Sequence, residues 1–336
     1  MGQFLPHVIG QYTVKNELQK SLEKNRLPHT MIFYGDEGLG KTAAALDLSS
    51  AMLGEPNDIW DSFHHWTHDA SFAKLPVLTA ADDRLWYLRP AGMELKIEQF
   101  LFFLKAMAAF DNRTHICIID EAQTMGRPVA NSMLKTLEEP PAAVYFILIT
   151  HDMDALLSTI VSRAEKFAFF PLSEADFRDF YRTIATNINQ EKLDLMYQLT
   201  GGNPGLLKKL AHAEEDNQPE GAMAFWEMIT FEEDPFSKGA REWKSRDEFL
   251  IMLRWITMVG RDILMESGAP SSDFGRCQSV SSKIRQMALH WDEEMMEQAI
   301  GVLETARQAA GRYISPKVIW DMVILRLCRI RKGMVS

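Results

Sequence analysis

The stretch "MIFYGDEGLGKTAAALDLSSAML", residues 31–53, decides the fold. Its apolar start predicts a β-strand, its alanine-rich end predicts an α-helix, and glycines lie between them. The glycines and the Lys-Thr pair have the spacing G-x-x-x-x-G-K-[ST], which between a strand and a helix is typical of a phosphate-binding P-loop. The sequence therefore predicts a site for ATP or ADP, with Mg²⁺ as the accompanying cation.

Each position of the P-loop has an expected role. Gly35, Gly38 and Gly40 let the backbone curl, so that its N–H groups and the helix N-terminus converge on the phosphates. Lys41 is expected to neutralise phosphate oxygens, and Thr42 is expected to place its hydroxyl on Mg²⁺. The alternative is a glycine-rich turn that binds nothing, and the strand–loop–helix context argues against it.

Two later apolar runs end in polar residues. Asp120 and Glu121 follow the run "ICII", and Thr150 ends the run "FILIT". Ligands of open α/β sheets bind at the carboxyl ends of the strands, so these side chains should face the nucleotide. We expect Asp120 to hold Mg²⁺ through water and Glu121 to orient the attacking water. Thr150 is expected near the γ-phosphate.

Short β-like runs alternate with helical stretches in the first half of the chain, which is typical of a parallel sheet covered by helices. The runs lie at 31–34, 85–88, 115–120, 144–150 and 166–170. After residue 170 only helical periodicity follows. The predicted fold class is therefore α/β plus all-α.

Three domains are predicted along the chain, at 1–170, 171–213 and 218–336, with a charged linker between the last two. The second should contain three short helices, with Ser173 and Asn203 as N-caps. In the third, a last helix should begin at Pro316, capped by Ser315, and its apolar face is predicted to contain Val318, Met322, Leu325 and Ile330.

The composition narrows the possible functions. The chain has 336 residues and a formal charge of −10, which argues against a protein that coats DNA through bulk positive charge. Its three scattered cysteines fit reduced thiols better than a disulfide framework. No basic leader or long apolar run is present, so we expect a cytoplasmic protein with no membrane partner.

Seven stretches of the first 205 residues follow the order of one known family. They are "IGQ" (9–11), "NRLPHTMIFYGDEGLGKT" (25–42), "IIDEAQTM" (118–125), "ANSMLKTLEEPP" (130–141), "FILIT" (146–150), "LLSTIVSRAEKF" (156–167) and "GGNPG" (201–205). In these the chain resembles the AAA+ subunits of the bacterial DNA polymerase III clamp loader, and most closely the delta-prime class. Past residue 215 only the helical character and the length match.

The resemblance implies an architecture and a function. The architecture is an AAA+ P-loop NTPase domain with a parallel sheet, a small three-helix lid domain and a C-terminal helical collar domain. The implied partners are motor and delta-like subunits in a five-subunit ring, the sliding clamp, and primed DNA reached through the assembly. The implied function is ATP-driven loading of that clamp onto the DNA.

The resemblance also implies roles for single residues. Ser162 and Arg163 match the serine and arginine that act in trans on the nucleotide of an adjacent subunit, although Ala164 replaces the family's cysteine. Ile9 is expected in the nucleotide site. Arg127 occupies a position that faces DNA in the family, and a solvated turn residue is the alternative for it. The basic C-terminal end is better explained by the helix dipole than by nucleic acid.

Two features depart from the family's pattern. Gly205 stands where motor subunits carry a lid arginine that contacts the γ-phosphate, so hydrolysis in cis is expected to be slow unless Lys208 or Lys209 compensates. No cysteine occurs from 43 to 116, where many members have four zinc-binding cysteines, so we predict no zinc site there, with the module either lost or replaced by a loop. His64, His65 and His68 are weak candidates for a metal.

Three functions stay open at this point. The chain is a delta-prime-type subunit, or an ATP-hydrolysing motor of the gamma/tau type, or a stand-alone AAA+ ATPase. A scaffold with a purely structural P-loop is disfavoured because Lys41, Thr42, Asp120 and Glu121 are all present.

Overall fold

The structure is a computed structural model, and the chain in it divides into two compact units, Met1–Lys208 and Lys209–Ser336. It describes residues 4–68, 77–90, 92–107, 112–139, 143–185, 190–212, 218–239, 241–243, 245–268, 281–310 and 314–333. Most of the predicted linker, residues 213–217, lies outside this part of the chain. No helix in the described ranges is long and apolar enough to span a bilayer.

The first unit is built on a six-stranded sheet. Its strands are β1 (Thr30–Tyr34), β2 (Val77–Ala80), β3 (Leu85–Leu88), β4 (His115–Ile119), β5 (Val144–Thr150) and β6 (Glu165–Ala168), in the order β2-β3-β4-β5-β1-β6. β3, β4, β5, β1 and β6 are parallel to one another, and β2 is an edge strand that pairs antiparallel with β3. The five predicted strands are confirmed, and β2 is an addition to them.

Helices cover both faces of the sheet. They are α1 (Tyr12–Glu23), α2 (Lys41–Leu53), α3 (Pro56–His68), α4 (Ile97–Met107), α5 (Arg127–Glu138) and α6 (Ser158–Val161). The first three pack on one face and the next three on the other. Side chains of β4 alternate between these two cores, which explains why its sequence is apolar throughout. Of the two alternatives for the zinc module, a loop in its place is wrong for the described residues, because α3 and β2 occupy much of that segment. Residues 69–76 lie outside the described part of the chain.

Three short helices follow β6, as predicted. They are α7 (Glu174–Ile184), α8 (Gln190–Thr200) and α9 (Pro204–His212), around a small core of their own. Both predicted caps are confirmed: the Ser173 hydroxyl accepts a hydrogen bond from the Asp176 N–H, and the Asn203 side chain accepts one from Leu206 at 3.0 Å.

Within the described residues, the second unit contains helices and no strand. They are α10 (Gln218–Phe231), α11 (Pro235–Lys238), α12 (Arg246–Gly268), α13 (Ser281–Ala288), α14 (Glu293–Ala310) and α15 (Pro316–Arg331). Its core is rich in tryptophan. Trp226 and Trp320 are buried, and their indole N–H groups donate to the carbonyls of Ile256 and Gly239 at 2.8 and 2.7 Å.

The predicted apolar face of α15 is largely wrong. Val318 is 60% exposed and Leu325 is 49% exposed, whereas the buried residues are Ile319, Trp320, Val323, Ile324, Leu327 and Ile330. Apolar residues occur around most of this helix, so periodicity alone did not select the buried stripe. Ser315 precedes the helix, but its side chain makes no capping hydrogen bond.

Candidate nucleotide-binding site

The P-loop joins β1 to α2, and its backbone requires glycine at the predicted positions. Gly35, Gly38 and Gly40 have φ angles of 137°, 81° and 91°, in the region that residues with a Cβ rarely adopt. A Cβ on Gly35 would also collide with the backbone carbonyl of Phe169. Gly40 precedes α2 and offers no side-chain cap. The first N–H groups of α2 are therefore available to an anion.

Lys41 is held inside this loop. Its side chain is almost fully buried, and Nζ donates to the carbonyl oxygens of Gly35 and Asp36, both at 2.6 Å. Burial lowers the pKa of Lys41 to about 8, against the opposing charges of Asp120, Glu37 and Asp36. The two carbonyls therefore hold a cation that phosphate oxygens can bind more strongly.

Nucleotide affinity should consequently depend on pH. Phosphate binds the protonated Lys41, and terminal phosphates are already ionised near pH 7. We expect the affinity for ADP to be nearly constant below pH 8 and to fall about tenfold per pH unit above it, because binding must then protonate the lysine. Titration calorimetry between pH 6.5 and 9.5 measures this. Lys41→Met is the control, and its weaker binding should lack the decline; a flat profile in the unmodified chain would contradict the assignment.

Thr42 and Asp120 come together at the mouth of the loop, as predicted. Thr42 Oγ1 lies 3.4 Å from Asp120 Oδ2, and Asp120 Oδ1 accepts a hydrogen bond from the Glu121 N–H at 2.9 Å. The Tyr87 hydroxyl, which the sequence analysis did not single out, donates a short hydrogen bond to Asp120 Oδ2. Hydroxyl and carboxylate oxygens are the ligands that Mg²⁺ prefers. These residues therefore fit a Mg²⁺–nucleotide complex, with Thr42 and Asp120 as its holders.

Glu121 and Thr150 lie at the same edge of the sheet. Glu121 has φ 51° and ψ 46°, a left-handed conformation that is uncommon outside glycine and is often found at functional sites. Thr150 pairs with Tyr34, the residue before the P-loop, so it lies beside the phosphate site. Its hydroxyl is buried 3.0 Å from Gln123 Oε1 and 2.9 Å from the carbonyl of Asp152. The hydroxyl of Thr150 is thus fixed by two hydrogen bonds, and Glu121 is placed by its backbone at the same end of the strands.

The lid contacts the P-loop directly through the start of α9. Asn203 Nδ2 donates to the carbonyl of Glu37 at 2.6 Å, and the Gly205 N–H donates to the carbonyl of Gly38 at 3.0 Å. A Cβ on Gly205 would lie 2.6 Å from Gly38 Cα. No arginine side chain fits at position 205 in this arrangement. Asn203 was predicted only as a helix cap, and it therefore also makes a hydrogen bond to the P-loop backbone.

The segment before α1 links the lid to the sheet. Ile9 is half-buried and packs against the apolar core of the lid. The amide of Gln11 pairs with the backbone of Phe170: Nε2 donates to its carbonyl at 2.6 Å, and Oε1 accepts from its N–H at 3.2 Å. Ile9 thus lies where lid and sheet meet, and its contact with a nucleotide stays a prediction.

Arg163 and Ser162 lie near the amino ends of β1 and β6, whereas the P-loop lies at the carboxyl end of β1. β6 runs parallel to β1, with Glu165 opposite Met31, whereas the P-loop follows the other end of β1. The register separates Arg163 from the loop by roughly 20 Å along the strand. Ser162 Oγ donates to the carbonyl of Thr159 at 3.2 Å. The two residues do not belong to this chain's own phosphate site.

Arg163 is partly exposed where it lies. Its side chain is 36% exposed and donates to Glu138 Oε1 at 2.7 Å and to the carbonyl of Thr159 at 3.0 Å. Because both ion-pair partners are solvated, this pair contributes little to stability, about 0–1 kcal/mol. The guanidinium can therefore exchange Glu138 for another anion at small cost.

Two weaker predictions concern exposed residues. Arg127 is the first residue of α5 and is exposed at the carboxyl edge of the sheet, and its contact with DNA stays a prediction. In the part of the chain that the structure describes, no three His, Cys, Asp or Glu side chains are grouped to hold a metal ion. The side chain of His68 lies outside that part.

The chain is similar in sequence to subunits of DNA polymerase III. A family described as DNA polymerase III, delta subunit, matches residues 10–173. The gamma subunit of DNA polymerase III from Buchnera aphidicola subsp. Acyrthosiphon pisum is 27% identical over 63% of this chain and 59% of that protein. The delta' subunit from Bacillus subtilis is 28% identical over 56% of each chain. A solved gamma-subunit-related protein from Thermotoga maritima aligns at 15% identity with a TM-score of 0.44, over 96% of this chain and 99% of that one.

The chain spans somewhat more than half the length of these two curated relatives. The matched part contains the P-loop, Asp120 and Glu121, and Arg163. Over residues 10–173, just under half of its length, the chain is similar to the family described as DNA polymerase III, delta subunit, and its relatives include gamma and delta' subunits of that enzyme.

Proposed function

We propose that this chain is a delta-prime-type subunit of the replicative clamp loader, acting in the cytoplasm. It binds ATP or ADP with Mg²⁺ and supplies Arg163 to the ATP of an adjacent subunit. The observation that carries the proposal is the separation of Arg163 from the chain's own P-loop, at opposite edges of the sheet. From that position Arg163 cannot reach a nucleotide bound by its own P-loop. A nucleotide bound by an adjacent subunit is therefore the phosphate group that it would contact.

The residues divide the work within this proposal. Lys41 and the first turn of α2 hold the phosphates, and Thr42 with Asp120 holds the cation that neutralises their charge. Glu121 accepts a hydrogen bond from the attacking water, and Thr150 faces the terminal phosphate. Ile9 contacts the nucleotide from the other side.

Hydrolysis at the chain's own site is slow in this proposal. The position of the lid arginine is occupied by Gly205, which lies against Gly38 and leaves no space for a charged side chain. Lys208 does not replace it, because its ammonium group lies over the ring of Phe180, 5.6 Å from the centroid. The charge of the γ-phosphate in the transition state therefore lacks one stabilising cation.

The remaining parts of the chain serve the assembly. Residues 1–170 form the AAA+ domain, 171–213 the lid, and 218–336 the collar that joins motor and delta-like subunits in a five-subunit ring. Arg127 contacts a phosphate of primed DNA inside that ring, and the complete assembly places the sliding clamp. A phosphate contact of this kind contributes position and no sequence information.

A motor subunit of the gamma/tau type is the second candidate. Glu121 and Thr150, which hydrolysis in cis would use, are both present at the carboxyl ends of the strands next to the P-loop, and this supports it. A stand-alone AAA+ ATPase is the third candidate. It would need no neighbour, which leaves Arg163 without a role.

The purified chain should bind ADP and ATP but hydrolyse ATP at a rate close to background. Mixing it with the motor and delta subunits of the same organism should give a larger complex whose ATPase responds to primed DNA. Titration calorimetry, size-exclusion chromatography with light scattering and a phosphate-release assay measure these three properties. Rapid turnover by the isolated chain, abolished by Lys41→Ala, would favour the motor, and the absence of any nucleotide binding would refute all three candidates.

A further inference from the structure

Tyr87 belongs to the cation site, although it lies on the strand next to the one that ends at Asp120. It pairs with Ile118, two residues before Asp120, and strand side chains alternate between faces. Tyr87 and Asp120 therefore project to the same side of the sheet, the side covered by α2 and its Thr42. The tyrosine is buried, with 2% of its surface exposed, so its hydroxyl has a fixed direction.

Two aromatic residues of α3 hold the Tyr87 ring. Phe63 meets it edge-on at 5.2 Å between centroids, and Trp66 does so at 5.3 Å. Such edge-to-face contacts fix the orientation of a ring as well as its position. α3 lies in the segment where resembling subunits carry zinc-binding cysteines. The helix that occupies that segment here thus positions a side chain of the cation site.

The hydroxyl of Tyr87 donates a hydrogen bond to Asp120 Oδ2. Thr42 Oγ1 lies 3.4 Å from the same oxygen, which is near the upper limit for a hydrogen bond. The Asp120 carboxylate therefore has a buried donor from the neighbouring strand beside the hydroxyl of the P-loop threonine.

We propose that Tyr87 is a positioning residue that fixes the carboxylate of Asp120 and, by hydrogen-bonding its Oδ2 atom, weakens its hold on Mg²⁺. The inference rests on the proposed function, because it concerns the cation of the same nucleotide site. A carboxylate attracts a divalent cation and its water shell through its negative charge, and a donor on the same oxygen stabilises that charge and so makes the oxygen a weaker base. A weakly held cation suits a subunit whose own site is not the one that turns over.

The test compares the Mg²⁺ requirement of nucleotide binding in three full-length chains. They are the unmodified protein, Tyr87→Phe and Tyr145→Phe. Tyr145 is a matched control: it lies on β5, near the opposite end of the sheet, where it stacks on His29 at 4.9 Å between ring centroids. A fluorescent ADP analogue is titrated first without Mg²⁺ and then with increasing Mg²⁺.

Tyr87→Phe should bind the analogue as well as the unmodified chain when Mg²⁺ is absent, because the P-loop is unchanged. Its half-saturating Mg²⁺ concentration should be about tenfold to a hundredfold lower, the range that corresponds to one hydrogen bond to a charged group. Tyr145→Phe should match the unmodified chain in both measurements. If Tyr87 served only to pack the core, its replacement would change the Mg²⁺ requirement and the affinity without Mg²⁺ together.

An unchanged or higher Mg²⁺ requirement in Tyr87→Phe overturns the inference and leaves the proposed function intact. If the unmodified chain fails to bind the analogue, the proposed function fails instead. Should Tyr87→Phe lose its cooperative unfolding transition, Phe63→Leu takes its place, since it loosens the ring and keeps the hydroxyl. A lower Mg²⁺ requirement in that variant supports the inference, and an unchanged one overturns it.

Discussion

Replacing Arg163 by alanine should reduce ATP hydrolysis at the interface that it serves by roughly 10³-fold or more, the usual worth of an arginine supplied in trans. The effect should appear only in the assembled loader. In the isolated chain, Arg163 lies at the edge of the sheet away from the P-loop, so the affinity for ADP should be unchanged. The fold should also be unaffected, because the ion pair that is lost, with Glu138, is solvated on both sides.

The measurement is DNA-stimulated ATPase, in single-turnover and steady-state form, together with clamp loading by the reconstituted assembly. Arg182→Ala is the matched control. Arg182 is 64% exposed on α7 and pairs only weakly with Asp179 at 3.5 Å, so its loss removes the same charge without touching the proposed interface. If Arg163→Ala hydrolyses ATP and loads clamps as well as Arg182→Ala does, the trans role is wrong.

Much of the first unit could be predicted from sequence because its signals are local. Strands buried on both faces are continuous apolar runs, so all five parallel strands were found. β2 was missed, since four residues that alternate between half-buried and buried at a sheet edge give a weak signal. α3 was missed because the absence of cysteines from 43 to 116 carries no information about helical structure. The buried face of α15 was missed for the reverse reason, an excess of apolar residues.

The nucleotide site also contains features that the sequence predicts and contacts that it does not predict. The P-loop is set by the spacing of a few adjacent residues, and its geometry follows from their glycines. Contacts between distant segments had no such signal. Tyr87 reaches Asp120 only through the register of β3 against β4, and Asn203 reaches Glu37 only because the lid docks on the P-loop. A hydrophobic pattern fixes neither a register between particular strands nor a docking between domains.

Lys41 should be required for nucleotide binding but not for folding. Lys41→Met removes the charge and keeps an unbranched side chain of similar length, which fits a buried channel. Two charge-assisted hydrogen bonds to phosphate are lost, at about 1.5–3 kcal/mol each. The affinity for ADP should therefore fall by about 10²- to 10⁴-fold. Titration calorimetry at pH 7 measures this loss, and an affinity within threefold of the unmodified chain would contradict it.

Lys41→Met should weaken nucleotide binding but should not lower the stability of the nucleotide-free chain. The folded-state pKa of Lys41, about 8, lies below its ordinary value of 10.5, so the folded chain binds this proton less tightly than the unfolded chain. Below pH 8 the charged lysine therefore opposes folding, by about 3 kcal/mol, and this opposition fades as the pH rises from 8 to 10.5. Lys41→Met removes it. The exposed loop lets water replace the lysine at the two carbonyls, so the melting temperature at pH 7 should stay the same or rise, and excess ADP should no longer raise it. A lower melting temperature would mean that Lys41 stabilises the free protein, and the view of its burial as a cost accepted for phosphate binding would be wrong.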